Sequence, residues 1–318
     1  MDRHAYLILA HRNWNQLSIL ISLLDYKDND IYIHIDKNSF FGEKERKQIK
    51  DSCKESQVVF VERRSVGWGD YSVVDAELLL LKTAVCKGYL YYHLISGMDL
   101  PLKTQREIHA FFQRNSGKEF IHYLDDVWKE KTSTRVQCYW PLQRVCASKR
   151  GKGIFFFLQR ALVKIQIFLG VNRAKEYALQ TGSQWFSITN ELAKKLCAND
   201  KIIKKRFSRT FCCDEWVVQT MADELGFRQK CYHPGASSTK ETILRYIDWE
   251  KGNPYIFRLE DLSDLLNSNC LFARKFDDTI DSQIIESVYL AVNKRDQDEQ
   301  EDIIVGKDCG GINMLVVN

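Results

Sequence analysis

The chain has 318 residues, 45% of them hydrophobic and 28% charged, which suits a folded domain with a sizeable core rather than a disordered or fibrous chain. Only 4 prolines and 16 glycines argue against a repeat array or a long flexible linker, and 46 Lys+Arg against 42 Asp+Glu give +4, too mild a charge to point to nucleic acid. The apolar run Tyr6–Ala10 is too short for a signal-peptide core or a membrane span, so the ten cysteines, with no C-x-x-C among them, read as free thiols in a reducing cytosol.

In chain order, Ala5–Ala10 reads as a buried strand, Asn15–Leu24 as an amphipathic helix and Ile31–Ile35 as a second strand. Val58–Val61 makes a third strand, Tyr71–Lys87 a helix, and Tyr89–Ile95 an aromatic, β-rich strand. This alternation predicts an α/β fold with a mostly parallel central sheet flanked by helices. Ligands of such sheets bind outside the carboxyl ends of the strands. That places His11-Arg12-Asn13, Asp36-Lys37 and Ser96-Gly97-Met98-Asp99 along one rim.

Phe120–Leu124 looks like a further strand, followed by a polar, Trp-bearing stretch to Trp140. Ile154–Leu169 carries apolar residues at 154, 157, 158, 161, 162, 165, 168 and 169, a helical face flanked by Lys149, Arg150 and Lys152 before it and Arg173 and Lys175 after it. Two readings are open: a helix packed on the core, or a basic amphipathic surface that touches a membrane or a lipid-linked substrate. Ser183–Ile188 reads as a strand, Glu191–Ala198 as a helix, and Glu215–Leu225 as a helix opening on two carboxylates. Polar residues from Arg295 to Asp302 suggest one domain over residues 1–295 and a loosely held tail over 296–318.

Three clusters could carry chemistry. In Phe211-Cys212-Cys213-Asp214-Glu215-Trp216, one carboxylate can favour the helix N-terminus through the dipole. The other could act as a general base if apolar neighbours such as Trp216 raise its pKa. In Leu271–Phe276, Arg274 and Lys275, with Arg245 and Arg258 upstream, could neutralise a diphosphate or simply form a solvated basic face. The turn Gly67-Trp68-Gly69 offers an aromatic able to stack on a base or a sugar. A metal clamp is not convincing. Asp28-Asn29-Asp30 precedes a strand and reads as a turn, Asp296-Gln297-Asp298 lies in the polar tail region, and the rim after Tyr89–Ile95 offers Asp99 alone.

Seven segments then occur in order: Ala5–Asn13, Tyr32–Asn38, Ile95–Thr104, Gly182–Phe186, Asp214-Glu215 with Gln219-Thr220, Leu244–Trp249 and Leu271–Asp277. Together, over roughly residues 4–280, the chain resembles the core-2/I-branching β-1,6-N-acetylglucosaminyltransferases and the related peptide O-xylosyltransferases of glycosyltransferase family 14. The resemblance implies a GT-A-type fold with a nucleotide-sugar half near residues 1–125 and an acceptor and catalytic half near 126–295. It also implies an inverting transfer of GlcNAc, or alternatively xylose, from a UDP-sugar to a saccharide or lipid-linked saccharide, with no metal and no cofactor. Glu215 matches the family's catalytic base, and Lys275 the lysine that neutralises the departing UDP diphosphate. Arg258 and Arg245 are both candidates for the second diphosphate cation. Asp36 and Trp68 fall where the family binds uridine, with Asp99 also on the donor side. Trp249 falls where an aromatic stacks on the acceptor sugar, and Arg135 is the candidate acceptor contact. The animal enzymes of the family carry a Golgi anchor and disulfides, and this sequence shows neither feature. The expectation is therefore a bacterial cytoplasmic protein, peripheral on the inner face of the membrane, that makes surface polysaccharide. The contrasting class, a glycan or sugar-nucleotide binding module without catalysis, sits poorly with an intact Asp214-Glu215 and Lys275.

Overall fold

The computed structural model describes residues 2–147 and 153–309. Nine strands follow one another along the chain: β1 (His4–Ala10), β2 (Asn29–Ile35), β3 (Gln57–Phe60), β4 (Tyr91–Ser96), β5 (Asp99–Pro101), β6 (Phe120–Tyr123), β7 (Gly182–Thr189), β8 (Arg245–Ile247) and β9 (Phe272–Arg274). Six of them form the central sheet in the order β3-β2-β1-β4-β7-β6, and the other three form a small sheet in the order β5-β9-β8. The first four pair in parallel, as strand–helix alternation dictates, whereas β7 runs antiparallel to both β4 and β6. This is the α/β layout that the sequence leads one to expect, with a sheet that is parallel in one half and mixed in the other.

The inner strands read as continuous apolar runs because helices cover both faces. Ala5, Tyr6, Leu7 and Ile8 of β1 are all fully buried. The helix Trp14–Leu24 turns Leu17, Leu20, Ile21 and Leu24 inward at helical spacing and packs on β5 and the last helix. The helix Ser72–Val85 lies against β1, β2 and the helix Asn190–Ala198.

Four sequence expectations shift. Asn29 and Asp30 begin β2 rather than forming a turn. Asp30 stays buried because Arg3 (2.7 Å), Lys87 (3.2 Å) and the Tyr89 hydroxyl all meet its carboxylate. The two carboxylates expected to open a helix sit on a 3-10 turn, Cys213–Glu215, and the α-helix itself runs Val217–Glu224. The last helix, Ser282–Cys309, runs through the expected domain end at residue 295. There Glu299 accepts from the Thr104 hydroxyl at 3.1 Å and lies 3.5 Å from Arg106, so residues 296–299 belong to the domain. Residues 310–318 of the expected tail lie outside the described residues.

The fourth shift concerns the helix Ile154–Phe168, which does not pack as a core helix. Its inward stripe is polar. Gln159 accepts from the Leu142 amide at 2.7 Å, and Gln166 both accepts from the Tyr139 amide (2.7 Å) and donates to the Tyr139 carbonyl (2.9 Å). Its apolar residues look outward, with Phe157 73% and Phe168 89% exposed. Lys149, Arg150 and Lys152 lie outside the described residues.

Candidate active site

The site is assembled around the turn Cys213–Glu215. Just before it, Cys212 adopts a left-handed conformation (φ 50°) and donates its amide to the Gly69 carbonyl at 2.9 Å. Gly69 is itself left-handed (φ 69°), and a Cβ there would come within 2.6 Å of the Phe211 ring, so only glycine lets the Trp68 loop close on this corner. On the other side, the Thr181 hydroxyl donates to the Glu215 carbonyl at 3.0 Å. Gln219 donates to the carbonyls of His122 (3.2 Å) and Ser183 (2.7 Å), while the Thr220 hydroxyl accepts from the Gln180 amide (3.0 Å). These two side chains stitch the start of the Val217–Glu224 helix to β6 and β7, which accounts for the Gln-Thr pair downstream of the carboxylates.

Phe211 draws the side chains of this corner together. Trp68 meets its ring edge-on at 5.5 Å, Trp140 stacks on it at 4.8 Å, and the Arg135 guanidinium lies 5.7 Å from its centre. Arg135 reaches on to Glu215, with Nη1 2.6 Å from Oε2, and Glu215 remains 38% exposed. Burial pushes the Glu215 carboxyl upward, and the charge and hydrogen bond of Arg135 pull it back down. Asp214 is pushed up to about 7, first by burial and then by the neighbouring Glu215 charge. Glu77, fully enclosed and bonded by the Gln184 amide at 2.6 Å, is held well above the usual carboxylate range by burial and by Asp214. Three carboxyls thus crowd one corner; the Arg135 charge favours the ionised form of both Asp214 and Glu215, and among the described residues Glu215 is the one it hydrogen-bonds. A solvent-reaching carboxylate of raised basicity is what a general base requires.

A second group of residues gathers at the carboxyl ends of β1, β2 and β9. The Asp36 carboxylate accepts from the amides of Asn38 (3.0 Å) and Val66 (3.2 Å), tying the end of β2 to the loop that carries the exposed Trp68. Lys275 follows β9. Its amide donates to the Tyr255 carbonyl (3.3 Å) and its carbonyl accepts from Phe257 (2.9 Å), which sets exposed Arg258 one residue from that pairing. The Lys275 ammonium makes no hydrogen bond or ion pair among the described residues. Burial, and then the Arg274 and Arg12 charges, lower its pKa. Arg12 (2.7 Å) and Asn13 (2.8 Å) clamp the Asp277 carboxylate, and Gln16 donates to the Phe276 carbonyl at 3.1 Å. Asp277 and Gln16 escaped the sequence reading as site residues. The only signal was that Asp277 closes the Leu271–Asp277 motif.

Strand β7 joins the two groups. Thr181, just before it, touches Glu215, and Trp185 within it lies under the Arg274 guanidinium at 3.9 Å. Four strand positions separate them, about 13 Å along an extended chain.

Two of the expected donor contacts are removed by burial. Arg245 is wholly enclosed, and its guanidinium donates to the carbonyls of Ile243 (2.9 Å), Leu94 (3.2 Å) and Phe186 (2.9 Å). It fastens the small sheet to the large one and cannot reach a diphosphate. Asp99 is equally buried, accepting from the Ser96 amide at 3.1 Å and facing Arg274 at 3.3 Å, so it is a counter-ion inside the fold rather than a donor contact. Of the two arginines considered beside Lys275, Arg258 is the one that solvent reaches. Trp249 stands 57% exposed on the loop after β8. A cavity of about 820 Å³, lined in part by Lys37, Arg64, Trp140, Arg144 and Arg209, opens beside the Trp68 loop; it includes Lys37 of the rim read from the sequence and none of the expected catalytic, donor or acceptor contacts. Among the described residues, no group of three or more His, Cys, Asp or Glu side chains is arranged to hold a metal ion.

A family model described as Core-2/I-Branching enzyme matches residues 4–266. The human beta-1,3-galactosyl-O-glycosyl-glycoprotein beta-1,6-N-acetylglucosaminyltransferase is 24% identical over 308 residues, an alignment covering 87% of this chain and 66% of the human protein. Mouse xylosyltransferase 2 is 22% identical over 312 residues, covering 89% of this chain and 33% of its own. The chain therefore spans just under two thirds of the first relative's length and one third of the second's. Among solved structures, the apo form of mouse xyloside xylosyltransferase 1 aligns with a TM-score of 0.38 at 9% identity, over 86% of this chain and 99% of its own.

Proposed function

The chain belongs to the Core-2/I-Branching enzyme family, and we propose that it transfers GlcNAc from UDP-GlcNAc to a saccharide hydroxyl, with inversion and without a metal. The observation that carries this reading is the Glu215–Arg135 pair at 2.6 Å, a carboxylate raised by burial, drawn back toward its ionised form by a guanidinium, and open to solvent. In the proposed step Glu215 takes the proton of the acceptor hydroxyl as its oxygen attacks the anomeric carbon. The bond from that carbon to the UDP oxygen breaks, and the electron pair leaves with the diphosphate. Lys275, unpaired among the described residues, and Arg258, next in the chain to the Phe257 whose amide binds the Lys275 carbonyl, would supply fixed positive charge for the departing group. Trp68, exposed and braced by Phe211, would cover the uridine, with Asp36 shaping the loop beneath it. Trp249 would meet the acceptor.

Transfer of xylose is the second reading, favoured by the likeness to xylosyltransferase 2. The two donors differ by a hydroxymethyl and an N-acetyl group. Thermal unfolding with UDP-GlcNAc, UDP-xylose, UDP-glucose, UDP-galactose and UDP, all in EDTA, separates these readings, because a ligand of the native state raises the melting point by mass action. Stabilisation by UDP and by UDP-GlcNAc alone among the sugars is the expected result. Stabilisation by UDP-xylose instead would name the other donor, and a shift that needs manganese would overturn the metal-free reading.

A further inference from the structure

We infer that the helix Ile154–Phe168 is a membrane-surface anchor that seats its outward face on anionic lipid. This inference rests on the surface of the protein and stands apart from the proposed reaction. The helix is inverted relative to an ordinary surface helix. Its glutamines, Gln159 and Gln166, grip the backbone of Tyr139 and Leu142, while Ile154, Phe157, Leu158, Ile165 and Phe168 face outward, each about half exposed or more. A contiguous apolar face of this kind marks an interaction site.

Charge selects the occupant. The helix contains Arg160 and Lys164 and no Asp or Glu. Exposed Arg144 sits on the short helix packed against this one. An apolar face on a helix that carries two cations and no acidic residue complements a bilayer surface bearing acidic headgroups. A second copy of the chain would set those cations against their own kind. The helix lies on the bilayer rather than across it, since no described helix is long and apolar enough to span one.

The test is co-sedimentation of the full chain with vesicles of phosphatidylcholine alone and of phosphatidylcholine with phosphatidylglycerol. Binding to the acidic vesicles is expected. It should weaken roughly tenfold or more in Phe157→Ser/Phe168→Ser, which removes two aromatic anchors. Binding should also fall in Arg160→Glu/Lys164→Glu and with added salt. Thermal midpoints of both variants should match the parent, because the changed side chains are exposed. A lowered midpoint would return this face to the protein interior and overturn the proposal. Absence of binding to either vesicle would overturn it as well, as would binding that survives the loss of both phenylalanines. Self-association that depends on Phe157 and Phe168, without vesicle binding, would make the face a contact between copies and equally defeat the proposal.

Discussion

Buried charge is handled in opposite ways in two regions of this molecule. Around the parallel strands and the small sheet, enclosed charges are matched: Asp30 by Arg3 and Lys87, Asp99 by Arg274, and Arg245 by three backbone carbonyls. At the corner beside β7, Glu77, Asp214 and Glu215 crowd together with Arg135 as the one guanidinium paired to them among the described residues, and all three carboxyls are pushed upward. Matched charge fastens strands, even where burial still raises the carboxyl, as at Asp99. Unmatched charge costs stability and leaves groups ready to exchange protons, which is how sites of chemistry differ from structural ion pairs. The same residue types thus carry different meanings according to how they are balanced.

The largest effect that would break this comparison is on turnover. Glu215→Gln keeps the shape and removes the proton acceptor, so transfer should fall by about 10²–10⁴-fold while the melting-point rise with UDP persists. Steady-state kinetics with the preferred donor provide the measurement. A variant that keeps parental activity would move the base elsewhere. Next in size is Asp99→Asn, which leaves Arg274 buried without its counter-charge and should cost about 3–5 kcal/mol in urea unfolding. Glu215→Gln should cost far less, since its partner Arg135 can turn to solvent. If Asp99→Asn instead leaves stability intact and weakens only donor binding, Asp99 is a ligand contact and the distinction between the regions fails.

Legibility in the sequence follows the same division. The first hundred residues could be read because their apolar spacing has one outcome, burial between helices, and β1 to β4 appear within two residues of their expected ends. Antiparallel β7 has no local signature, since its direction is set by partners some ninety residues away. Arg245 and Arg258 look alike in sequence, and only tertiary packing puts one on carbonyls of the core and the other in solvent. The helix Ile154–Phe168 was legible as a helix and ambiguous in its facing. Its periodicity is real, but the anchoring stripe is Gln159 and Gln166, seven residues apart, with Val163 between them. Two glutamines on one helical stripe, with no acidic residue on the helix, were the available sign that the polar side could be the inner one. Arg135 was legible only as a loose match for an acceptor contact, because its partner lies 80 residues away across the corner.

The smallest effect concerns that partnership. Arg135 favours the ionised form of Glu215, so replacing it with glutamine removes the positive charge that lowers the carboxyl's pKa while burial still raises it. The base must be ionised to accept a proton. In Arg135→Gln the acid limb of kcat/KM against pH should therefore move to higher pH, and at lower pH activity should drop while the plateau at higher pH recovers part of it. Arg135→Lys restores the charge without the planar fork and should place the limb between the two. A residue that only gripped the acceptor would raise KM at every pH and leave the limb in place. An unmoved limb in Arg135→Gln would therefore reduce Arg135 to an acceptor contact and leave burial as the sole influence on the Glu215 carboxyl.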